Sequence, residues 1–376
     1  MDDLDTQVLR TACAWQAAGE AVLLVTVART WGSSPRPPGA LMALDGRGRT
    51  VGSVSGGCIE DDLVRRVREA GPGAVCAGGT PEVLRYGISA DEAHRFGLPC
   101  GGTIELVLEP VAAHSRLPEL LQAREARRAT ERRLDLATGA VTLRESGHDG
   151  LPQLDDHTLT TWLGPQARLL LIGVGDIAAF MARMAQGLGF DVIVCDPRPE
   201  SRASWTLGHL PVSPEMPDDL IARLRPDART AIVALSHDPK IDDLALIDAL
   251  RSDAFYVGAI GSRRNTAARR ERLRQHFDLS EAELDRLHGP AGLYIGSKTP
   301  AEIALSIMAE LVAAKNGVAR QQRVAVEAGK AGATRARQVG QAEPTARAER
   351  ADPAERAEPA AEAGAAAEAG HLPAPA

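Results

Sequence analysis

The sequence predicts an α/β protein of two domains followed by a tail, and three observations lead to this fold class. In residues 168–198, RLLLIGVGDIAAFMARMAQGLGFDVIVCDPR, an apolar run ends in a glycine-rich turn, a helical pattern follows, and a second apolar run ends at Asp196. This is the pattern of two parallel strands joined by a helix. Short apolar runs precede it, and residues rich in Ala, Glu, Arg and Pro follow it. We therefore expect an N-terminal α+β domain over 1–162, a Rossmann-like doubly wound parallel sheet domain over 163–316, and a disordered tail over 317–376.

Composition and charge argue against several functional classes. The chain has 376 residues, a formal net charge of -7 and 3% aromatic residues, which disfavours nucleic acid as a partner. No apolar run reaches the length of a membrane span, and the acidic start lacks the basic region of a signal peptide. We expect a cytoplasmic protein. The five cysteines lack CxxC spacing, which argues against a disulfide scaffold or a zinc site.

The N-terminal domain is predicted to begin with a helix at 4–18 and a wholly apolar strand at 21–29. That strand opens into TWGSSPRPPGA, residues 30–40, a loop of small residues and prolines. Two shorter strands, at 41–45 and 50–55, are joined by the turn DGRGR.

A glycine pair then precedes a predicted helix. In SGGCIEDDL, Gly56 and Gly57 end a strand, and the helix begins near Cys58 with Glu60 in its first turn. Unpaired N–H groups and the positive end of the helix would lower the pKa of a thiol there and attract anions. A buried structural cysteine behind a tight turn is the alternative.

A second cysteine stands beside paired glycines in the chain. Cys100 precedes Gly101 and Gly102, just before the apolar strand predicted at 103–111. The two cysteine elements could converge on one pocket. The next residues, 113–135, are arginine-rich and helical in pattern, and we expect them and the surface strands that follow to be solvated packing.

The turn at the start of the second domain has the glycine spacing of a dinucleotide-binding fingerprint. Gly173 permits a tight turn, Gly175 allows a ligand to approach the backbone, and Ala178 keeps helix and strand close. Asp196 lies where an acidic side chain would meet a ribose hydroxyl. Asp176, however, places a carboxylate at the helix start, which argues against simple phosphate binding unless it only caps the helix.

Two further elements of this domain suggest ligand contacts. His237 follows a buried strand, on the crevice side of a doubly wound sheet, and faces either a ligand or helix-capping acids. A basic helix at 261–275 starts with Arg263 and Arg264, where positive charge is unfavourable for the helix and an anionic ligand would compensate. A long helix follows, with Thr299 as its N-cap and Pro300 at its first position.

Six ordered motifs over residues 8–315 resemble the XdhC/CoxI family of xanthine dehydrogenase accessory proteins. They are TVARTWGSSPRPPGA, GSVSGGCIEDDL, CGGTIELVLEP, GVGDIAAF with CDPR, YVGAIGSRR and GLYIGSKTPAEIALSI. The resemblance implies a chaperone that binds molybdenum cofactor, protects it during sulfuration and delivers it to a xanthine dehydrogenase-type molybdenum hydroxylase. A cysteine desulfurase is the second implied partner, and a homodimer is a further expectation. Many relatives have GAGHV in the fingerprint, whereas this chain has Gly173-Val174-Gly175-Asp176-Ile177.

The resemblance also suggests which residues bind the cofactor, molybdopterin with or without a cytosine nucleotide. Loop amides and a cationic side chain would hold its anionic groups, and a thiolate is an apt ligand for molybdenum. Cys58 would face the metal, and Cys100 is the second candidate for this role. The expected cofactor-binding residues are Gly32, Ser33, Ser34, Arg36, Gly56, Gly57, Cys58, Glu60, Cys100, Gly101, Gly102, Gly173, Gly175, Asp196 and His237.

Two other functions stay open on the sequence alone. The first is an NAD(P)-dependent oxidoreductase that uses the fingerprint conventionally, with His237 as the acid-base group. The second is a scaffold that recruits a sulfurtransferase and a target enzyme, with both cysteines structural. Neither gives a role to the glycine-cysteine motifs.

Overall fold

The computed structural model describes residues 2–32, 34–71, 75–76, 79–87, 102–147 and 150–318, with only the backbone at Cys58. The tail from residue 319 lies outside the described residues. The described strands are β1 (Val22–Trp31), β2 (Leu41–Asp45), β3 (Thr50–Gly52), β4 (Glu82–Tyr86), β5 (Thr103–Pro110), β6 (Thr130–Asp135), β7 (Val141–Glu145), β8 (Gln153–Leu154), β9 (Thr158–Leu163), β10 (Arg168–Ile172), β11 (Asp191–Cys195), β12 (Val212–Ser213), β13 (Thr230–Ala234), β14 (Tyr256–Ala259) and β15 (Leu287–His288). The described α-helices are α1 (Leu4–Ala17), α2 (Cys58–Ala70), α3 (Leu117–Glu125), α4 (Asp176–Gly187), α5 (Pro199–Ala203), α6 (Pro217–Leu224), α7 (Pro239–Arg251), α8 (Arg263–Phe277), α9 (Glu281–Asp285) and α10 (Pro300–Lys315).

The first sheet is antiparallel, with the strand order β3-β2-β1-β5-β4. Its central strand, β1, is buried on both faces. Leu23 and Val25 pack with α2, whereas Val22 and Leu24 pack with α1. Because both faces are covered, the buried part of β1, residues 22–28, is apolar at every position except Thr26 and does not alternate.

A second antiparallel sheet, in the order β7-β6-β9-β8, packs against the first. It corrects the helical pattern expected over 113–135, because only α3 is α-helical there and β6 is a strand. The burial of β6 alternates residue by residue, with Arg132 and Leu134 facing inward. Nor is this region wholly solvated. Arg132 is buried against Glu109, with its Nη2 at 2.6 Å from Glu109 Oε1.

The third sheet is parallel, in the order β12-β11-β10-β13-β14-β15. The chain enters the sheet at β10 and adds β11 and β12 on one side of it. It then crosses to the other side of β10, where it adds β13, β14 and β15. The strand order therefore reverses between β10 and β13, where ligands of doubly wound folds bind. Helices α4 and α10 cover one face, and α6, α7, α8 and α9 cover the other.

These sheets confirm the predicted fold class of an α+β region followed by a doubly wound parallel sheet. The antiparallel sheets end at Leu163 and the parallel sheet begins at Arg168, while the exact division into domains stays a prediction. Helix α10 begins as expected, with Thr299 accepting a hydrogen bond from Glu302 N and Pro300 in the first turn. Among the described residues, no helix is both long and apolar enough to cross a membrane.

Candidate functional site

The backbone around the glycine pair wraps a carboxylate of the chain itself. Glu60 Oε1 accepts hydrogen bonds from Val54 N at 2.8 Å, Ser55 N at 2.7 Å and Gly56 N at 3.1 Å. Its Oε2 accepts from Gly57 N at 2.9 Å. Positive φ angles at Gly56 and Gly57, of 92° and 148°, let consecutive amides point at one centre.

This arrangement keeps Glu60 ionised. Burial opposes ionisation, but hydrogen bonds from Ser55 and Ser53 outweigh it and lower the pKa of Glu60 to about 2. The amides of Gly56 and Gly57, which the sequence suggested for an external anion, therefore bind an internal one. Helix α2 does begin at Cys58, as expected, although the thiol of Cys58 lies outside the described atoms.

The loop after β1 is joined to this carboxylate site. Arg36 Nε donates to Ser53 O at 3.1 Å, and Ser34 Oγ donates to Arg36 O at 2.9 Å. Gly32 has a left-handed φ of 75°. The structure thus joins the loop after β1 to the loop that surrounds Glu60, through the contact between Arg36 and Ser53. Ser33, Cys100 and Gly101 lie outside the described residues, and Gly102 is buried just before β5.

The glycine turn of the parallel sheet is as tight as its sequence predicts. Gly173 has a φ of 101°, and a Cβ there would lie 2.6 Å from the backbone N and Cα of Ser236. Nothing lies within 4 Å of a Cβ built at Gly175, the N-cap residue of α4. Gly173 therefore packs the turn against the loop after β13, whereas Gly175 leaves the backbone open.

Asp196 is fully buried, and both of its oxygens are occupied. Oδ2 accepts from Val174 N at 2.9 Å and from Arg198 Nη2 at 2.8 Å, and Oδ1 accepts from Arg198 N at 3.0 Å and Nε at 2.9 Å. Burial raises its pKa, but these hydrogen bonds outweigh burial and hold the pKa below its usual range. Four donors fill the acceptor positions of a carboxylate. Asp196 thus fixes the glycine turn and leaves no lone pair for a ribose hydroxyl.

The loop after β13 presents His237 at the crevice. His237 is exposed and has a φ of 62°, which is uncommon for a residue with a side chain. Buried hydrogen bonds fix this loop. Ser236 Oγ donates to Asp242 Oδ1 at 2.6 Å, and Arg269 Nη2 donates to Asp242 Oδ2 at 3.1 Å. Buried hydrogen bonds therefore fix the conformation that exposes His237.

Two arginines follow the neighbouring strand β14. Arg263 and Arg264 begin α8 and are exposed, and neither forms a hydrogen bond or an ion pair within the part of the chain that the structure describes. The helix is capped by Ser262, whose side chain accepts a hydrogen bond from Asn265 N at 3.1 Å. The crevice edge thus carries positive charge that the fold itself does not neutralise.

A cavity of about 730 Å³ lies at the opposite edge of the parallel sheet. Its walls come from the start of α1, the loop after β1, the β9–β10 connection, the α4–β11 turn and the end of α10. The charged side chains that line it are Asp2, Asp3, Asp5, Arg36, Arg124, Arg229 and Lys315. Residues 124, 150, 152 and 229 complete the lining, so eight separate segments build this cavity and no single sequence motif predicts it.

The predicted site residues therefore form two groups. Ala167, directly before β10, lines the cavity that Arg36 also lines, whereas Gly173 follows the other end of β10. A strand of this length separates its ends by about 13 Å, at about 3.3 Å per residue. The structure does not bring Arg36 together with Gly173, Gly175, Asp196 and His237.

Metal ligands are not grouped in the described parts of the chain. No set of three or more His, Cys, Asp or Glu side chains there could hold a metal ion. The thiols of Cys58 and Cys100 lie outside those parts, so the expectation that they face molybdenum stays a prediction.

The chain matches two family models, one in each half. Residues 15–87 match the model of the XdhC and CoxI family, and residues 169–311 match the XdhC Rossmann domain. It is 26% identical over 329 residues to a probable xanthine dehydrogenase subunit from Bacillus subtilis, covering 80% of this chain and 95% of that one. It is also 27% identical over 316 residues to the molybdenum cofactor insertion chaperone PaoD of Escherichia coli, covering 82% and 88%.

A solved structure has the same fold. A Bacillus halodurans protein described as a xanthine dehydrogenase superposes with a TM-score of 0.66 at 24% sequence identity, covering 85% of this chain and 97% of that one. At this identity the likeness concerns the fold alone. The two models match in the expected order and include the glycine-cysteine element and the glycine fingerprint. The chain therefore belongs to the XdhC/CoxI family.

Proposed function

We propose that this protein is an accessory chaperone that binds molybdenum cofactor and inserts it into a xanthine dehydrogenase-type molybdenum hydroxylase. The observation that carries the proposal is the match to a molybdenum cofactor insertion chaperone over 88% of that protein's length. The match runs through both halves of the chain, so it is not a likeness of the Rossmann half alone. Protection of the cofactor during sulfuration, by a cysteine desulfurase partner, is part of the same proposal.

The oxidoreductase alternative receives less support from the geometry. A conventional nicotinamide site needs a free acidic side chain for the ribose, and Val174 and Arg198 occupy both oxygens of Asp196. His237 is exposed at the crevice, but in the described residues no side chain forms a hydrogen bond that would orient it as a general base. In this chain the residues of the glycine fingerprint pack and fix the turn, and this role accounts for them better than nicotinamide binding does.

The proposal is tested by the contents of the purified protein. The full chain is produced in a host that makes molybdenum cofactor and is purified without oxygen, and molybdenum, pterin and nicotinamide are then measured per subunit. We expect molybdenum and pterin in equal amounts, with no nicotinamide. Nicotinamide without pterin would overturn the chaperone function in favour of the oxidoreductase.

Cys58→Ser is expected to keep the fold and to shorten retention of the sulfurated cofactor. The exchange is nearly isosteric, and it removes the soft ligand at the start of α2. Loss of terminal sulfur is followed over time in wild type and variant, with Cys13→Ser as the matched control on a different helix. Equal half-lives for wild type and Cys58→Ser would remove Cys58 from the site.

A further inference from the structure

The cavity at the amino edge of the parallel sheet holds charges that the fold does not pair. Two of its carboxylates have partners, because Asp2 pairs with Arg10 at 2.9 Å and Asp3 pairs with Arg124. Asp5, which is half-buried, forms no hydrogen bond or ion pair with any described residue. A carboxylate that has no hydrogen-bond donor within the protein can accept a hydrogen bond from a ligand in the cavity.

Two cations of the cavity are similarly available. Arg36 uses its Nε to bind Ser53 O, which leaves its terminal nitrogens for another acceptor. Lys315, at the end of α10, lies 5.4 Å from the centre of the Phe190 ring and forms no ion pair among the residues described. Arg229 adds a third positive charge to the lining. Arg36 and Lys315 thus give two available cations, against the one available carboxylate of Asp5.

The charged groups of the cavity lie close enough to shift one another's pKa values. Burial raises the pKa of Asp5, and Arg124 and Arg36 act in the opposite direction. Burial lowers the pKa of Lys315, as does Arg229, while Asp3 and Asp5 oppose that change. Asp5 and the exposed Lys315 are therefore in each other's electrostatic field, and neither forms an ion pair within the described part of the chain.

We propose that this cavity binds a phosphomonoester that carries a 2-amino-4-oxopyrimidine ring, with Asp5 accepting from the ring and Arg36 and Lys315 holding the phosphate. A carboxylate accepts two parallel N–H bonds from the ring amide and the amino group of such a ring. Guanidinium and ammonium groups bind phosphate. A volume of about 730 Å³ is within the range of small-molecule sites.

The inference rests on the proposed function for the identity of the ligand, because the pterin phosphate of molybdenum cofactor has this chemistry. It assigns the organic part of the cofactor to the amino edge of the sheet, away from the glycine fingerprint. Guanine nucleotides share the same ring face and phosphate. The binding experiment must therefore compare a pterin phosphate with a guanine nucleotide.

The test measures binding of dihydroneopterin monophosphate, GMP, AMP and CMP to the full chain by calorimetry. We expect the pterin phosphate to bind at least tenfold more tightly than AMP or CMP, which lack the paired ring donors. Tighter binding of GMP than of the pterin would assign the site to a guanine nucleotide. Equal binding of all four, or none, would overturn the proposal.

Charge variants locate the site in the cavity. Asp5→Asn should weaken pterin phosphate binding by about ten- to a hundredfold, the usual effect of losing a charge-assisted pair of hydrogen bonds. Lys315→Ala should weaken it by about tenfold and reduce its salt dependence. Arg183→Ala, which removes an exposed cation from α4 outside the cavity lining, is the control and should bind as wild type does. Unchanged affinity in Asp5→Asn and Lys315→Ala, with unchanged melting temperatures, would refute the assignment.

The pterin content of the same variants separates the two proposals. If wild type carries pterin and molybdenum and both cavity variants keep them in full, the cavity assignment fails while the chaperone function stands. If wild type carries no pterin but binds a probe in a manner that depends on Asp5, the chaperone function fails while the cavity assignment stands.

Discussion

Gly173→Ala is expected to destabilise the protein by about 3–5 kcal/mol, enough to leave most of it unfolded or aggregated. The new Cβ would lie 2.6 Å from the backbone N and Cα of Ser236, which cannot rotate away as a side chain can. The φ of 101° adds strain for any residue with a Cβ. Ser236 itself is fixed by its hydrogen bond to buried Asp242.

Gly175→Ala is the matched control for this prediction. The two glycines belong to one turn, but Gly175 has an extended φ of 163° and nothing within 4 Å of a built Cβ. Its replacement should cost less than about 1 kcal/mol, the usual effect of exchanging an N-cap glycine for alanine. Both variants are compared with wild type by urea unfolding. If both variants lose the same free energy of unfolding, the close approach of Gly173 to Ser236 is not what makes alanine unfavourable at position 173.

Much of the fold could be predicted from the sequence because local patterns determine it. The apolar runs of β1, β10 and β13 are buried as their composition indicates, and glycine spacing predicted the tight turn at Gly173. The helical expectation for β6 was wrong because arginine has a good helix propensity. Burial of Arg132 against Glu109, a contact between distant segments, overrides that propensity.

The candidate site was harder to predict because its contacts depend on tertiary structure. The spacing of Asp196 from Gly173 correctly suggested a side chain near the glycine turn. It could not show that Arg198, only two residues further on, folds back to occupy the carboxylate. The cavity was missed for a related reason. Asp5 and Lys315 stand at opposite ends of the described chain, and no pattern in the sequence joins them.

Glu60 was predicted to contact the cofactor, a role that stays a prediction. The structure shows in addition why the residue matters for stability. Four backbone amides converge on its carboxylate, from Val54 to Gly57. A glutamine has one carbonyl oxygen for these donors and brings an amino group that repels them. Glu60→Gln is therefore expected to lower the free energy of unfolding at pH 7 by about 2–3 kcal/mol.

The pH dependence distinguishes this cause from a simple packing defect. The pKa of Glu60 is lowered from 4.5 to about 2, so the folded state binds the proton less readily than the unfolded state. The stabilisation by Glu60 is then complete above pH 4.5 and is lost as the pH falls toward 2. The difference in unfolding free energy between wild type and Glu60→Gln should shrink over that interval, measured by urea unfolding at several pH values. Glu69→Gln, on the exposed side of α2, should match wild type at pH 7. A difference between wild type and Glu60→Gln that stays constant from pH 7 to pH 3 would show that the ionised carboxylate is not what holds the loop.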